Sequence, residues 1–344
     1  MRASVISLTE RGPVGEEIEA AGIPVASLDM GGPLGVPSAL IRLVSVIRRE
    51  HPDIVQTWMY NADLLGGVAA RMARVKAIAW GVRLSGLELV GERRWTRFAV
   101  RAAARLSHVV PEAIVYNAES GRRAHEHVGY ARDRGVVIPN GFDIPPPPAA
   151  PGLRESLGIS QDARIVGRVA RYHPVKDYGT FLRAAGEIAR QMPDVHFLAC
   201  GDGITEDNVG LQRLVSESDP ALRERFHPVG PLADVGPFYA AIDVACSASI
   251  GEGFPNVVGE AMAAGVPGVV TDVGDSALLL GEAGLVVRPG DPDALASALA
   301  ELLAMPHTAR QELGKRGRER IEVEFTLPKM AKRYVTLYRQ LAGR

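Results

Sequence analysis

Short apolar runs rich in valine and isoleucine alternate with longer amphipathic segments from one end of the chain to the other. The runs have the length of β-strands, and the apolar residues of the segments between them recur at helical spacing. This alternation predicts an α/β fold with parallel sheets covered by helices on both faces. We expect strands at residues 4–8, 53–58, 77–82, 113–117, 135–139, 164–170, 195–200, 243–249 and 266–272.

One proline-rich segment interrupts this pattern. Residues 139–152 have the sequence PNGFDIPPPPAAPG, and four consecutive prolines are incompatible with a helix or a central strand. We therefore expect an extended linker at 144–152 between a first half at 1–143 and a second half at 153–326. A chain of 344 residues is long enough for two such domains, and a last helix is expected at 327–344.

Composition and charge narrow the class of protein. The formal net charge is -1 with 23% charged residues, which argues against nucleic acid as the main partner. We find no secretory signal pattern and no apolar run near the ~20 residues that span a bilayer. The two cysteines, Cys200 and Cys246, lie in apolar stretches, which argues against a disulfide framework. We expect a cytoplasmic protein that meets a membrane only at its surface.

The segment EGFPNVVGE at 252–260 contains two glutamates near a predicted helix start. Asn256 is expected to cap a helix that begins one residue later, so that Glu260 falls in its first turn. Ordinary helix electrostatics would also favour a carboxylate there. Glu252 lies in the preceding loop between two glycines, which allow a polar ligand to approach closely. Glu252 is therefore the stronger candidate for ligand binding.

Two cations follow the predicted strand at 164–170. Arg171 ends that strand, and Lys176 lies five residues later at the start of a predicted helix. The pair suits a diphosphate, because a helix N-terminus adds unpaired N–H groups and partial positive charge. In isolation both could be ordinary surface residues, as His173 between them is expected to be. Together with the two glutamates they indicate a site for a sugar bearing a diphosphate.

Glycine-containing turns follow other predicted strands of the second half. They are CGDG at 200–203, VGPL at 229–232 and DVGD at 272–275. Each alone is routine turn chemistry, but an open parallel sheet binds its ligands at this edge. The sequence contains no metal-ligand spacing of His, Cys and Asp, no G-x-S-x-G elbow and no P-loop.

Polar and aromatic residues also follow the predicted strands of the first half. Candidates for an acceptor pocket are Trp58, Tyr60, Asn61, Asp63, Arg83 and Ser85. The tryptophans Trp58 and Trp80 fit a core position equally well. Further along, the segment 92–110 contains five arginines, Arg93, Arg94, Arg97, Arg101 and Arg105, with Trp95 and Phe98 among them. Such a helix can lie on an anionic membrane, or it can be a solvated arginine face.

The chain resembles a known family, most specifically between residues 164 and 300. The segments VARYHPVKD, CGDG, EGFPNVVGEAMAAGVPGVVTDVGD and GLVVRPGDPDALASAL are similar to those of glycosyltransferase family 4, also called group 1, and VIPNGFD resembles its interdomain signature. The resemblance covers nearly the whole chain. It implies the GT-B architecture, in which two Rossmann-like parallel-sheet domains face each other across a cleft and the last helix crosses back to the first domain. Such enzymes are retaining and use nucleotide sugars.

The resemblance also implies roles for individual residues. Arg171, Lys176 and Glu252 would be catalytic, with the two cations on the donor diphosphate, where they stabilise the charge of the leaving group. Glu260 would bind the ribose hydroxyls. The other donor-side residues implied are Gly253, Phe254, Pro255 and Asn256 for the transferred sugar, Gly203, and Gly230, Pro231 and Leu232 for the base.

The implied reaction needs no metal and no cofactor beyond the nucleotide-sugar co-substrate. A UDP- or GDP-sugar would be the donor, and a glycan or lipid-linked acceptor would receive the sugar. Such enzymes build bacterial surface polysaccharide, lipopolysaccharide or glycolipid at the inner face of the cytoplasmic membrane.

Two departures from the family pattern stand out. Family members usually begin with a strand, a glycine-rich turn and a helix ahead of a strand like that at 4–8. That opening unit is missing here. The first strand of a doubly wound half is central, so its loss would leave a gap in the first sheet. Our interpretation is that the start codon has been assigned too far downstream. Many members also have a histidine in the loop after the strand that corresponds to 77–82. This chain has no histidine there, and Arg83 is only a candidate for that position.

Two alternatives remain open on the sequence. The protein could bind a nucleotide without catalysing transfer, or it could be a GT-B epimerase that acts on the nucleotide sugar itself. A nicotinamide-dependent dehydrogenase is set aside, because no G-x-G-x-x-G follows a first strand.

Overall fold

A computed structural model of the protein describes residues 2–31, 35–83, 94–144 and 152–343. All nine predicted strands form, and every strand pair is parallel. The predicted α/β class is therefore confirmed. Three further strands were not predicted from the sequence, and each lies at the edge of a sheet: Val25–Ser27, Phe226–Gly230 and Gly284–Val287.

The first half alternates strands and helices. Its strands are β1 (Val5–Ser7), β2 (Val25–Ser27), β3 (Ile54–Gln56), β4 (Ala77–Val82), β5 (Ala113–Tyr116) and β6 (Gly135–Val137). Its helices are α1 (Gly12–Ala20), α2 (Val36–Glu50), α3 (Tyr60–Met72), α4 (Arg94–Leu106) and α5 (Glu119–His127), with a short 3-10 turn at Arg132–Arg134.

The described strands of the first half pair as two separate sheets. β1 pairs with β2, while the other four strands run in the order β3-β4-β5-β6. One apolar core nevertheless joins the two sheets, and it includes Leu28 after β2, Leu43 of α2 and Ile78 of β4.

The second half has one six-stranded sheet in the order β12-β11-β10-β7-β8-β9. These strands are β7 (Arg164–Val169), β8 (Val195–Cys200), β9 (Phe226–Gly230), β10 (Val244–Ser247), β11 (Gly268–Thr271) and β12 (Gly284–Val287). The helices are α6 (Gly152–Ser156), α7 (Tyr178–Gln191), α8 (Val209–Glu217), α9 (Pro220–Arg223), α10 (Gly236–Ala241), α11 (Asn256–Ala263), α12 (Ser276–Leu280), α13 (Pro292–Ala304) and α14 (His307–Glu324).

The strand order of the second half reverses beside β7. β7 is central, the chain continues from it to β8 and β9 on one side, and it then crosses to β10 on the other side. The crevice at the carboxyl ends of β7 and β10 is thus a topological switch point. Open α/β sheets bind their ligands in such a crevice.

The chain returns to the first half after α14. Phe142 donates its N–H to the Phe325 carbonyl (2.7 Å) and accepts the N–H of Leu327 (3.1 Å). The last helix, α15 (Leu327–Ala342), then packs on the sheet of the first half, where Leu337 and Leu341 are buried in one cluster with residues of β4 and β5. Most of the predicted linker, residues 145–151, lies outside the described residues. None of the described helices has both the length and the apolar character needed to cross a bilayer.

Candidate functional site

The switch-point crevice of the second half carries the residues that the sequence singled out. Lys176 follows β7 in a 3-10 turn (Pro174–Lys176), and Glu252 follows β10. Their side chains form an ion pair, in which they are 18% and 11% exposed. Glu252 Oε1 also accepts the hydroxyl of Ser249 (2.7 Å). Two predicted site residues from distant parts of the sequence therefore meet in one place.

Backbone contacts fix both loops of this crevice. Asp177 caps α7 by accepting the Thr180 N–H (3.0 Å), which sets the helix start directly after Lys176. The Ile250 N–H donates to the Val175 carbonyl (2.9 Å), so the loop after β10 is bonded to the turn that holds Lys176. The ion pair is therefore held between two elements that are themselves attached to each other.

Arg171 lies five residues before Lys176, on the same loop that follows β7, and its side chain is exposed. It makes no hydrogen bond or ion pair with the residues that the structure describes. Hydrogen bonds connect its loop to the turns after β8 and β9, since Tyr172 donates to Asp202 (2.7 Å) and Gly201 donates to Gly230 (3.0 Å). Its five N–H donors are available to an anion.

The turns after β8 and β9 need their glycines. Gly203 and Gly230 have φ values of +71° and +81°, which side chains of L residues rarely adopt. Pro231 and Leu232 follow Gly230, and they are exposed and half-buried, respectively. The predicted glycine turns thus lie on the same edge of the sheet as Arg171.

The predicted start of the helix after Glu252 was wrong by one residue. α11 begins at Asn256, and Pro255 is its N-cap, which has no side-chain donor or acceptor. Asn256 is therefore the first helical residue rather than the cap, and Glu260 lies one position beyond the first turn. Because no side chain caps α11, its first N–H groups are open to a ligand.

Glu260 faces a polar partner within the second half. Tyr239 of α10 donates its hydroxyl to Glu260 Oε2 (3.1 Å) and also lies 3.1 Å from the Val257 carbonyl. Burial raises the pKa of the Glu260 carboxyl above its ordinary value, and the hydrogen bond from Tyr239 opposes that rise. Glu260 is thus a fixed acceptor near the start of α11.

Two side chains of the 252–256 loop, those of Phe254 and Asn256, contact the junction of the halves. The Phe254 ring is buried between the rings of Phe142 (centroids 6.2 Å apart) and Phe325 (5.6 Å). Asn256 Oδ1 accepts the amide of Asn140 (2.7 Å). Gly253 and Pro255 offer only backbone and ring atoms. The side chains of this loop therefore attach it to the first half.

On the opposite wall, the structure brings Trp58 and Arg83 together. The Arg83 guanidinium lies 5.5 Å from the centre of the Trp58 ring, and Tyr334 of α15 packs against the same ring at 5.7 Å. Trp58 is 44% exposed, so it is not a core residue, whereas Trp80 is fully buried. Asn61 is exposed at the start of α3, and the candidate Ser85 lies outside the described residues.

Tyr60 does not belong to this wall. It is buried in the core, where its hydroxyl lies 2.8 Å from His125 Nε2. His125 Nδ1 lies 2.7 Å from the Gly121 carbonyl and must donate to it, so Nε2 accepts the Tyr60 proton. An acceptor-pocket role for Tyr60 is therefore wrong, because its polar end is used inside the fold.

Asp63, three residues later on α3, is a fully buried carboxyl group. Its Oδ1 accepts the Thr57 hydroxyl (2.6 Å) and the Gly81 N–H (3.3 Å), while Oδ2 has no partner among the described residues. Burial raises the pKa of Asp63 to about 8, against the opposing effect of the two hydrogen bonds. It ties together the ends of β3 and β4 inside the fold, so an acceptor-pocket role for Asp63 is wrong.

Asn140 connects the two walls. It accepts a hydrogen bond from Arg83 (2.6 Å) at its Oδ1 and donates one to Asn256 (2.7 Å) from its amide. The sequence marks VIPNGFD only as an interdomain signature, without a role for this residue. The structure shows a continuous polar path from the Trp58 wall to the first residue of α11.

A buried cation lies beneath the crevice. Arg168 on β7 is 1% exposed, and its three guanidinium nitrogens make no hydrogen bond with the described part of the chain. The guanidinium carbon of Arg168 lies 4.4 Å from the centre of the Tyr178 ring and 5.0 Å from the centre of the Phe181 ring. Its charge is thus balanced mainly by two aromatic faces.

Two family models match this chain. The model described as "Glycosyl transferases group 1" matches residues 163–305, and "Glycosyltransferase Family 4" matches residues 2–144. Together they span more than three quarters of the sequence, with one model on each half. The chain belongs to the family 4, group 1 glycosyltransferases. Among the described residues, no group of three or more His, Cys, Asp or Glu side chains could hold a metal ion.

Curated relatives agree with the family. A D-inositol 3-phosphate glycosyltransferase of Corynebacterium urealyticum is 30% identical over 64% of this chain and 56% of its own length. The UDP-Gal:alpha-D-GlcNAc-diphosphoundecaprenol alpha-1,3-galactosyltransferase of Escherichia coli is 26% identical over 77% of this chain and 70% of its own. The aligned parts span from 44% to 71% of the lengths of such relatives.

Solved structures show the same fold. Anabaena HepE in complex with UDP superposes with a TM-score of 0.82 at 20% identity, over 100% of this chain and 99% of that one. Sucrose-phosphate synthase of Thermosynechococcus elongatus gives 0.76 at 22% identity, over 99% of each chain. With these glycosyltransferase structures as neighbours, the GT-B fold that the sequence predicted is confirmed.

Proposed function

We propose that this protein transfers a sugar, with retention of configuration and without a metal, from a nucleoside-diphosphate sugar to a polysaccharide or glycolipid acceptor of the bacterial surface. The observation that carries the proposal is the Lys176–Glu252 ion pair beside the exposed Arg171 at the switch point. The names of two similar proteins support the chemical class, since one uses UDP-Gal with a lipid-linked acceptor and another was crystallised with UDP-glucose.

The charges of the crevice fit the leaving group of such a reaction. Cleavage of the anomeric bond leaves negative charge on the diphosphate, which fixed cations stabilise as it develops. An ammonium group has three N–H donors, so Lys176 can bind phosphate while it keeps Glu252. Arg171 adds a planar fork that has no competing partner among the described residues, and the uncapped start of α11 adds N–H groups.

The carboxylates then have separate tasks. Glu252, oriented by Lys176 and Ser249, accepts hydroxyl groups of the transferred sugar. Glu260, oriented by Tyr239, accepts the ribose hydroxyls of a UDP or GDP moiety. Because the pKa of Glu260 is raised, nucleotide affinity is expected to fall at acidic pH, where its carboxylate gains a proton and loses acceptor capacity.

The acceptor would enter from the first half. Trp58 and Arg83 present an aromatic face and a cation, which suit a sugar ring and an anionic group. Arg97, Arg101 and Arg105 lie on α4 with Phe98, whose side chain is 58% exposed. We propose that this helix face contacts the anionic cytoplasmic leaflet, where a lipid-linked acceptor would be located.

The test uses the purified chain with a panel of UDP- and GDP-sugars, and it measures release of the nucleoside diphosphate. Lys176→Ala and Glu252→Ala are each expected to lower turnover by roughly 10²–10³-fold, the effect of removing one preorganised charged group from a transition state. Lys315→Ala is the matched control, because Lys315 is paired with Glu319 on the exposed α14. Unchanged turnover in both site variants would show that these roles are wrong.

The same assay separates the alternatives. A protein that binds UDP or GDP but turns over no donor would be a nucleotide-binding protein without transfer activity. Conversion of the donor into an isomer in the absence of any acceptor would identify an epimerase.

A further inference from the structure

Asp275 connects the two halves at the base of the crevice. It precedes α12 but does not cap that helix with its side chain. Its carboxylate instead accepts the N–H groups of Glu119 (2.6 Å) and Ser120 (2.9 Å), the first two residues of α5 in the first half. Asp275 is 6% exposed, so this contact is shielded from water.

The contact satisfies a need of the first half. The residue before α5 is Ala118, which has no side-chain acceptor for the unpaired N–H groups of the helix start. A carboxylate is the preferred group at such a position, because it is attracted to the positive end of the helix. The second half therefore supplies the cap that the sequence around α5 lacks.

The same residue is bonded to the 252–256 loop. The Asp275 N–H donates to the Gly253 carbonyl (2.9 Å). The preceding Gly274 has φ +59°, and a Cβ there would lie 2.4 Å from the Glu252 carbonyl oxygen. No other residue could occupy this position without displacing the loop. The turn at 273–275 thus lies directly against the residues that orient Glu252.

We propose that Asp275 is a positioning residue, which makes the conformation of the 252–256 loop depend on contact between the two halves. This inference rests on the proposed function for its catalytic consequence. When the halves separate, the carboxylate loses both bonds to α5, and the turn that donates to Gly253 loses this attachment to the first half. The loop then keeps only its contacts within the second half, among them those of Glu252 with Lys176 and Ser249. Closed and open arrangements would differ in turnover more than in nucleotide affinity.

Hydrogen–deuterium exchange tests the structural part without any need for activity. In Asp275→Ala, peptides that contain residues 119–120 and 251–257 are expected to exchange roughly 10-fold to 100-fold faster than in the wild type, as the loss of charge-assisted bonds implies. Asp275→Asn keeps one acceptor oxygen and should give an intermediate increase. It also serves where the alanine variant does not fold.

The matched control is Asp291→Ala. Asp291 caps α13 of the same half through the Ala294 N–H (3.0 Å), and its bond stays within that half. The control should raise exchange at the start of α13 and leave residues 119–120 and 251–257 unchanged. Faster exchange at 119–120 without any change at 251–257 in the Asp275 variants would overturn the inference, and so would unchanged exchange at both.

Kinetics test the catalytic part. Asp275→Ala is expected to lower kcat for the donor by about tenfold or more, while the Kd for UDP changes by less than about threefold. The control should match the wild type in both quantities. An equal loss of kcat in the control would overturn the positioning role. If the wild type turns over no donor, the proposed function fails, and the exchange measurements still decide whether Asp275 couples the halves.

Discussion

Asp63→Asn replaces a fully buried carboxyl group with a neutral amide of the same shape. The carboxyl accepts hydrogen bonds from Thr57 and Gly81, which an amide oxygen can also accept. The two groups differ in charge, because only the carboxyl can ionise. The substitution therefore isolates what the raised pKa of Asp63 does to the stability of the first half.

The magnitude follows from the two pKa values. Burial raises the pKa from 3.8 to about 8, so between these values the folded protein binds one more proton than the unfolded chain. The resulting stabilisation is complete below the unfolded pKa and is lost as the pH rises through about 8. The slope is about 1.4 kcal/mol per pH unit, which gives a loss of roughly 4 kcal/mol between pH 5 and pH 8 as an upper bound.

The asparagine variant lacks this dependence. Its free energy of unfolding, relative to the wild type, should rise by about 1.4 kcal/mol for each pH unit between 5 and 8. The assay is urea unfolding at pH 5, 6, 7 and 8, followed by tryptophan fluorescence. All three tryptophans, Trp58, Trp80 and Trp95, lie in the first half, so the signal reports on that half alone.

Asp53→Asn provides the control, since Asp53 is exposed just before β3. It measures how much of the pH dependence arises from the loss of any exposed carboxylate. If the Asp63 variant and the wild type gave parallel pH profiles, the carboxyl would not be neutral in the folded protein, and the reasoning from burial would be refuted.

Two other substitutions test the packing around the site, and a third serves as a control. Arg168→Met should raise the free energy of unfolding by about 1–3 kcal/mol, because burial of a guanidinium without hydrogen bonds costs several kcal/mol and two aromatic faces offset only part of that cost. Urea unfolding followed by circular dichroism measures this change, and a loss of stability would contradict the prediction. Gly259→Ala should destabilise the protein by about 1–3 kcal/mol through overpacking, since its Cβ would lie 2.0 Å from the Phe142 ring. Gly179 on α7 is the control, because a methyl group fits there. Thermal unfolding should show that Gly179→Ala raises the stability of the protein by up to about 1 kcal/mol, whereas Gly259→Ala lowers it.

The interior strands could be predicted because burial on both faces requires a continuous apolar run. The three strands that were missed lie at sheet edges, where this requirement is weaker. β9 even contains Pro228, which removes a backbone donor and is tolerated at an edge. An edge position makes a strand harder to predict but does not prevent it, since β1, β3 and β6 also lie at edges and were predicted. An edge strand depends on the hydrogen bonds that its neighbour offers, and this information is not local in the sequence.

The candidate site was predictable to the extent that topology determines it. Residues that follow parallel strands meet at one edge of the sheet, so the sequence alone is enough to expect Arg171, Lys176 and Glu252 together. Tyr60 was misplaced for a local reason. It follows a strand, as Trp58 does, but it is already the first residue of α3, and the helix turns its side chain into the core.

Contacts between the halves could not be predicted, because they depend on how two separately folded units are placed. Three residues at the base of the crevice illustrate this. The Phe254 ring packs on Phe142, Asn256 is bonded to Asn140, and Asp275 caps a helix of the other half. The family resemblance implied that Phe254 and Asn256 contact the transferred sugar, and the sequence placed Asp275 in a glycine-containing turn. Their side chains instead join the halves, so substitutions there should change the geometry at Glu252 without touching a donor.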